Sequence, residues 1–380
     1  MFNFLNQIGR CENRFDWILL AATVPPVLFG LMTMNSFTAE SYFFDRQVSW
    51  ILFSYAVFLI CGFIDWRWLR KSLPIIIFYL GVLLVLALLL FFGQVTRGVQ
   101  GWLSIGGFTF QPADLMKLAL IVILAKYFSK RHIEIANIRH IIISGLYAFA
   151  PFVVILLQPD FGLALIIFLI WLGMILVSGV SKKHLGLLIL VMVLSAVTAW
   201  SFVLQPYQKS RIVNFLHPLA DIRGSGYNAF QSTIAVGSGE WFGKGVGYGT
   251  QSRLKFLPEY QTDFIFAAFA EEWGLVGVLF LFVSFGVILW RIAVTALVGA
   301  SNFETLFGLG LAVMILAHFI IHIGMNIGLL PITGLPLPFM SYGGSHLLVE
   351  FLGLGILMGM RNYSLSYHRD DVKNEFVGPQ

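Results

Sequence analysis

Charge is what this chain has least of. Only 11% of its 380 residues are Asp, Glu, Lys or Arg, against about 25% in a soluble globular protein. A chain this poor in charge cannot cover a water-facing surface of its own size, which excludes the soluble classes. Cysteine is nearly absent too, with two in all: Cys11 precedes the first apolar run and Cys61 lies inside the second. That placement supports neither a disulfide nor a cysteine metal site. A cleaved signal is missing as well. The first sixteen residues lack the succession of basic, apolar and small residues that a signal needs, so the first apolar run reads as a retained span. The net charge of +5 does not call for nucleic acid, because Lys and Arg on the cytoplasmic side of a membrane protein give the same excess.

What fills the chain is apolar residue, 58% of the total. A spanning helix needs about 20 mostly apolar residues. Ten runs qualify: 17–34, 48–64, 73–92, 113–128, 141–157, 163–180, 184–204, 264–290, 306–329 and 346–360. The pattern predicts an all-α polytopic membrane protein with ten transmembrane helices, a single domain over residues 1–380. Lys and Arg set the orientation. With the N-terminus in the cytoplasm, fifteen of the 24 fall on that side, and six of the eight outside lie in one long loop. Both termini are then cytoplasmic, residues 361–380 form a cytoplasmic tail, and 205–262 is a large extracellular loop between helices 7 and 8. Loops this long are functional or disordered. The aromatics scattered through it, from Tyr207 to Phe256, predict an ordered lid with short helices. The segments 97–112, 158–162 and 331–344 fall on the same outer face.

The candidate chemistry gathers there. Asp263 stands where the long loop meets an apolar helix. It reads as an N-cap or as a carboxylate kept at a costly depth for function. Asp114 and Lys117 lie at i, i+3 and share a helix face, either as a pair that fixes packing or as the wall of a cavity. Asp160, in Gln158-Pro-Asp160-Phe-Gly162, either caps the sixth helix or adds a second carboxylate to that cavity. Glu271 is eight residues beyond Asp263, near the same face, and is a supporting polar contact. The glycine-rich stretch 237–247 fails the P-loop spacing, but its backbone can approach a pyrophosphate, with Lys244 or Arg211 assisting. His318 and His322 have the i, i+4 spacing of a metal pair but no acidic partner nearby in sequence, and read as hydrogen-bonded helix packing.

Several stretches carry a family likeness: Phe110-Gln-Pro112 with Lys117, Gln158-Pro-Asp160-Phe-Gly162, Gly226-Tyr-Asn-Ala-Phe-Gln-Ser232, Ile234-Ala-Val-Gly-Ser-Gly239 and Gly247-Tyr-Gly-Thr-Gln-Ser252. Phe256-Leu-Pro-Glu259 with Thr262-Asp-Phe-Ile-Phe266, and Pro331-Ile-Thr-Gly-Leu-Pro-Leu-Pro338 followed by Ser341-Tyr-Gly-Gly-Ser345, complete the set. In this order the chain resembles the SEDS family (shape, elongation, division, sporulation) over almost its whole length. The resemblance implies a peptidoglycan glycosyltransferase that joins lipid II units into a growing glycan strand at the outer face of the cytoplasmic (inner) membrane. The elongation members, which serve cell elongation and rod shape, work with a class B penicillin-binding protein, a transpeptidase, among other elongation-machinery membrane proteins.

The family's essential aspartate falls on Asp263, and its cavity positions fall on Asp114, Lys117 and Asp160. The resemblance predicts Asp263 as the general base. Arg211, Lys244 and Lys117 are the candidate cations for the leaving pyrophosphate, and a divalent cation (Mg²⁺ or Mn²⁺) is a further candidate stabiliser. The chain departs from the family pattern at Ala113-Asp114, where Ser-Glu is usual, at Gly101, where an Arg usually precedes the Trp, at Tyr260 and Gln261, and at His322 in place of Asn. The rival classes are a lipid II flippase, which needs charges reaching both leaflets, and a scaffold that only recruits the transpeptidase.

Overall fold

The apolar runs are helices in the computed structural model of the chain, which describes residues 15–36, 42–96, 99–105, 108–130, 138–179, 183–186, 188–190, 197, 199–203, 209, 213, 215, 226–254 and 256–375. In chain order they are α1 (Trp17–Asn35), α2 (Tyr42–Phe63), α3 (Ser72–Phe92), α4 (Pro112–Ser129), α5 (Ile138–Leu157) and α6 (Phe161–Val177). Then come α7 (Tyr227–Ser238) and α8 (Thr250–Arg253) in the long loop, followed by α9 (Ile265–Leu297), α10 (Asn302–Asn326) and α11 (Gly344–Glu375). The seventh expected run, 184–204, lies largely outside the described residues, as does Cys11, while Cys61 is a buried thiol. Six of the described helices, α1, α2, α3, α5, α9 and α10, are long and apolar enough to cross a membrane.

α4 is the axis. It buries fourteen of its eighteen residues, as a helix with no polar stripe must, and it packs against α3, α5, α6, α10 and α11. Around it, α11 runs along α2, and α9 lies between α1 and α10. The outer helices leave Leu52, Leu84, Phe91, Phe149 and Phe280 bare. An apolar face that large is a lipid-facing face.

One end of the bundle is closed by ion pairs. Asp16 caps α1 by accepting from the Leu19 N–H. It also holds Arg291 Nε at 3.0 Å and Arg361 Nη1 at 2.9 Å, all three side chains being buried. Nearby, Arg70 Nε donates to Glu304 Oε1 at 2.7 Å.

The other end carries a feature the all-α expectation omits. Residues 97–112, expected as a loop, contribute to a small antiparallel sheet, β1 (Gln94–Thr96), β2 (Val99–Ile105) and β3 (Phe108–Phe110), in that order. Val99, Trp102, Leu103 and Ile105 are strand formers, and Trp102 pairs across to Gln94 while Leu103 pairs to Phe110. Gly101 lies against Gln158, whose Oε1 is 3.1 Å from where a Cβ would stand.

α9 is broken near its start. Gly274 takes φ +65°, ψ −167°, a conformation only glycine adopts without strain. The chain of residues 240–245 fills the break. Leu275 and Val276 donate their N–H groups to the carbonyls of Glu240 and Trp241, and Lys244 and Gly245 donate theirs to the carbonyls of Glu271 and Glu272, all at 2.9–3.0 Å. Backbone groups that the helix abandons are thus satisfied by the loop, the condition for irregular backbone within a membrane protein. A Cβ on Gly274 would stand 2.3 Å from the Gly243 nitrogen. Gly274→Ala is therefore expected to cost about 1–3 kcal/mol, to lower the melting temperature in detergent and to speed proteolysis in the 240–247 loop. An unchanged melt and cleavage pattern would refute this account of the break.

Candidate active site

Asp263 lies in the turn that leads into α9. Phe264, not Asp263, occupies the N-cap position. The Asp263 N–H donates to the Glu259 carbonyl at 3.1 Å, and its own carbonyl accepts from Asn326 Nδ2 at 3.0 Å. Asn326 ends α10, and its Oδ1 accepts from the Ala267 N–H at 3.2 Å while its carbonyl accepts from Ser232 Oγ at 2.8 Å. Through its carbonyl and its side-chain amide, Asn326 thus fastens α7, the Asp263 turn and the first turn of α9 to the end of α10. The Asp263 side chain is half-buried. Its Oδ2 would be 3.5 Å from a Cβ on Gly334, a residue at φ +72°.

Gly334 belongs to the irregular segment 331–343, which joins the parts of the site. Its Leu335 carbonyl accepts from His322 Nδ1 at 2.7 Å. Ser341 Oγ donates to the Thr262 carbonyl at 2.9 Å, and the Tyr342 N–H donates to the Gln261 carbonyl at 2.9 Å. On its other side the Thr333 carbonyl lies 2.7 Å from where a Gly162 Cβ would stand, so only glycine fits beside it in the Asp160 turn.

Asp114 and Lys117 form an ion pair of 2.8 Å in the first turns of α4, both buried. Ser345 Oγ donates to Asp114 Oδ2 at 2.8 Å. Lys117 Nζ also reaches His318 Nε2 at 3.1 Å and His346 Nδ1 at 3.2 Å, and His346 Nε2 lies 2.9 Å from Glu350 Oε1. Asp160 is the N-cap of α6, accepting from the Leu163 N–H at 3.0 Å, and takes a second hydrogen bond from Gln111 Nε2 at 3.3 Å. Burial pushes its carboxyl above the ordinary value, and the nearby Asp114 charge pushes it the same way. Asp160 therefore caps α6, one of the two readings the sequence left open, and it stands within the electrostatic reach of Asp114 and Lys117.

Lys244 and Glu271 meet each other instead. Lys244 Nζ lies 2.7 Å from Glu271 Oε1, and the same carboxylate accepts from the Thr250 N–H and Oγ1, each at 2.9 Å, and from the Gln251 N–H at 3.2 Å. Glu271 is fully buried. Its contacts lock α8 and the 240–247 chain onto α9. Arg211 lies outside the described residues. Among the described residues no group of three or more His, Cys, Asp or Glu side chains is placed to hold a metal ion.

Four contributors were missed in the sequence. Ser345 and His346 sit at the end of the Ser-Tyr-Gly-Gly-Ser motif, Glu350 lies one turn further on α11, and Asn326 ends α10. His318 was noticed only as a partner for His322, because the sequence places its actual neighbours some 200 positions before it and 28 after it.

Residues 17–365 match the family described as "cell cycle protein", which groups FtsW, RodA and SpoVE. The chain is a polytopic membrane protein and belongs to that family, the SEDS proteins. It is 36% identical to stage V sporulation protein E of Bacillus subtilis over 92% of this chain and 97% of that one. It is also 36% identical to a protein named peptidoglycan glycosyltransferase MrdB of Escherichia coli K12, over 72% and 73% of the two chains. Among solved structures it resembles a chain from a study titled "Structural coordination of polymerization and crosslinking by a peptidoglycan synthase complex", with TM-score 0.80, 28% identity and coverage of 92% and 98%. It resembles RodA of Thermus thermophilus with TM-score 0.68, 28% identity and coverage of 92% and 97%.

The buried pair makes a clean test of the packing. Removing one partner strands a charge at a cost of about 3–5 kcal/mol, while removing both is far milder. Asp114→Asn and Lys117→Met are each expected to lower the melting temperature in detergent, and the double variant to recover most of the loss. Additive losses in the double variant would show that the pair is not coupled.

Proposed function

We propose that the chain is a peptidoglycan glycosyltransferase that polymerises lipid II at the outer face of the cytoplasmic membrane, with Asp263 as general base. The observation that carries this reading is the half-buried Asp263, whose N–H donates to the Glu259 carbonyl, whose carbonyl accepts from Asn326 at the end of α10, and whose side chain lies beside Gly334 of the 331–343 segment, in a family whose relatives are named for this activity. Orientation supports it. Arg67, Arg70, Lys71, Lys126, Lys130, Arg291 and Arg361 stand at the end opposite Asp263, and an excess of Lys and Arg marks the cytoplasmic side.

In the reaction the acceptor 4-hydroxyl of a GlcNAc attacks the anomeric carbon of the donor MurNAc. The hydroxyl is a poor nucleophile, so Asp263 takes its proton as the new C–O bond forms. The bond from the anomeric carbon to the lipid pyrophosphate breaks with inversion, and undecaprenyl pyrophosphate leaves. Its negative charge needs donors placed where it develops. Lys117 stands in the buried cluster beside Asp114, and Lys244 stands at the loop with Glu271. The likeness to a chain of a peptidoglycan synthase complex supports a transpeptidase partner, a class B penicillin-binding protein. Cell elongation rather than division or sporulation is the role we assign.

A general base typically contributes about 10²–10⁴-fold. Asp263→Asn is expected to lower glycan polymerisation from labelled lipid II by at least about 10²-fold, measured with purified protein in detergent and no other polymerase, while leaving the melt unchanged. Equal strand synthesis by the Asn variant would refute the base. Transport of lipid II across vesicles without strand synthesis by the parent protein would favour the flippase.

A further inference from the structure

The pair of buried histidines that meets Lys117 has no part in that mechanism, and its proton bookkeeping is tightly constrained. An ammonium has three donors and no acceptor. Those of Lys117 are all engaged: by Asp114 Oδ1 at 2.8 Å, His318 Nε2 at 3.1 Å and His346 Nδ1 at 3.2 Å. Both imidazoles must therefore accept at these nitrogens, so both are neutral, with His346 carrying its proton on Nε2. His346 Nε2 lies 2.9 Å from Glu350 Oε1, close enough for an ion pair but not aligned as a hydrogen bond. Glu350 is held in turn by the Phe339 N–H, which donates to its other oxygen at 3.0 Å.

The charged and titratable groups facing His346 are Asp114 and Lys117 from α4, His318 from α10 and Glu350 on its own α11, with His322 one turn beyond His318. With neutral imidazoles the cluster holds two carboxylates against one ammonium. All of its members are buried, and a buried charge in excess is costly. The cluster lacks one positive charge, and His346 is the group placed to supply it. A proton on His346 Nδ1 would end its acceptance from Lys117 and set two cations side by side. The new N–H has a partner ready in Asp114 Oδ1, 3.6 Å away. One donor of Lys117 is then released.

We propose that His346, which faces Glu350, is a positioning residue for Lys117. Uptake of one proton by His346 turns a Lys117 N–H away from the imidazole and toward an anionic group entering beside Asp114. On the glycosyltransferase reading, on which the identity of the anion rests, that group is the pyrophosphate of the lipid-linked substrate. Anion binding and proton uptake are then linked. Because an anion that needs the released donor favours the protonated imidazole, protonation tightens binding by the same factor. Affinity rises as pH falls toward the His346 titration and drops by up to about tenfold per pH unit above it.

The test is calorimetric titration of the purified full chain in detergent with undecaprenyl pyrophosphate, at about pH 6 and about pH 8, the range over which an imidazole changes charge. Buffers of different ionisation enthalpy report the protons taken up. The parent protein is expected to take up about one proton more per ligand than His346→Gln, which keeps an acceptor for Lys117 but cannot titrate, and to lose affinity at the higher pH by about tenfold or more relative to that variant. Glu350→Gln is expected to keep the uptake and move it to lower pH. Equal proton uptake by the parent protein and His346→Gln, or no binding by the parent, would overturn the proposal. Strand synthesis scored on the same preparations separates the two claims: strands without the proton linkage sink the histidine switch alone, and linkage without strands sinks the glycosyltransferase reading alone.

Discussion

Lys117 places an ammonium where water does not reach, and much of the architecture follows from the need to satisfy it. A buried charge left without partners costs far more than any single hydrogen bond returns. The partners come from three helices: Asp114 from its own α4, His318 from α10 and His346 from α11. Those helices must therefore approach the first turns of α4 closely, at the same end of the bundle. Small residues permit it, for Gly353 on α11 and Gly310 on α10 sit against Leu311 and Ile121 with no room for a Cβ. From Leu118 to Ala125 α4 is apolar on every side and can only be buried. The polar cluster thus fixes one end of a helix whose remaining turns have no choice but to be the core.

A second constraint is backbone rather than charge. Irregular chain within a membrane protein survives only where other protein satisfies its N–H and C=O groups. The break at Gly274 meets that condition through residues 240–245, and the buried Glu271 holds the loop in place through Lys244, Thr250 and Gln251. The long segment between α6 and α9 is therefore structural where it touches α9. It stiffens the short helical stretch 265–273, which follows directly on Asp263. Lys244, which the sequence offered as a cation for phosphate, is one half of that fastening.

The fold was largely legible. Runs of about 20 apolar residues have one stable outcome, and nine of the ten lie on described helices. The three-stranded sheet was not legible, because a strand of three residues such as Gln94–Thr96 gives no period to read. Nor was the break in α9: Gly274 sits in an apolar stretch like any other helical glycine, and only the loop that docks on it reveals the bend. Of the site, single positions were legible and their company was not. Asp114 and Lys117 announce each other by spacing on one helix. His346 and Glu350 reach them from a helix more than two hundred residues away, a distance over which helix periodicity carries no information. Asn326, which fastens Asp263, looks like any polar residue at a helix end.

The structure also sorts the carboxylates by burial and by partner. A general base must reach the proton it takes. Asp114 is buried and closed by Lys117 and Ser345. Glu271 is fully buried and accepts from a lysine, a hydroxyl and two backbone N–H groups. Glu350 is buried between the Phe339 N–H and His346, and Asp160 is spent on the α6 cap and Gln111. Asp263 is less buried than Asp114, Glu271 and Glu350: its backbone N–H and carbonyl are hydrogen-bonded, and its half-buried side chain lies beside Gly334. On the proposed reading, a backbone fixed on both its N–H and its carbonyl holds the Asp263 carboxylate in place for proton transfer.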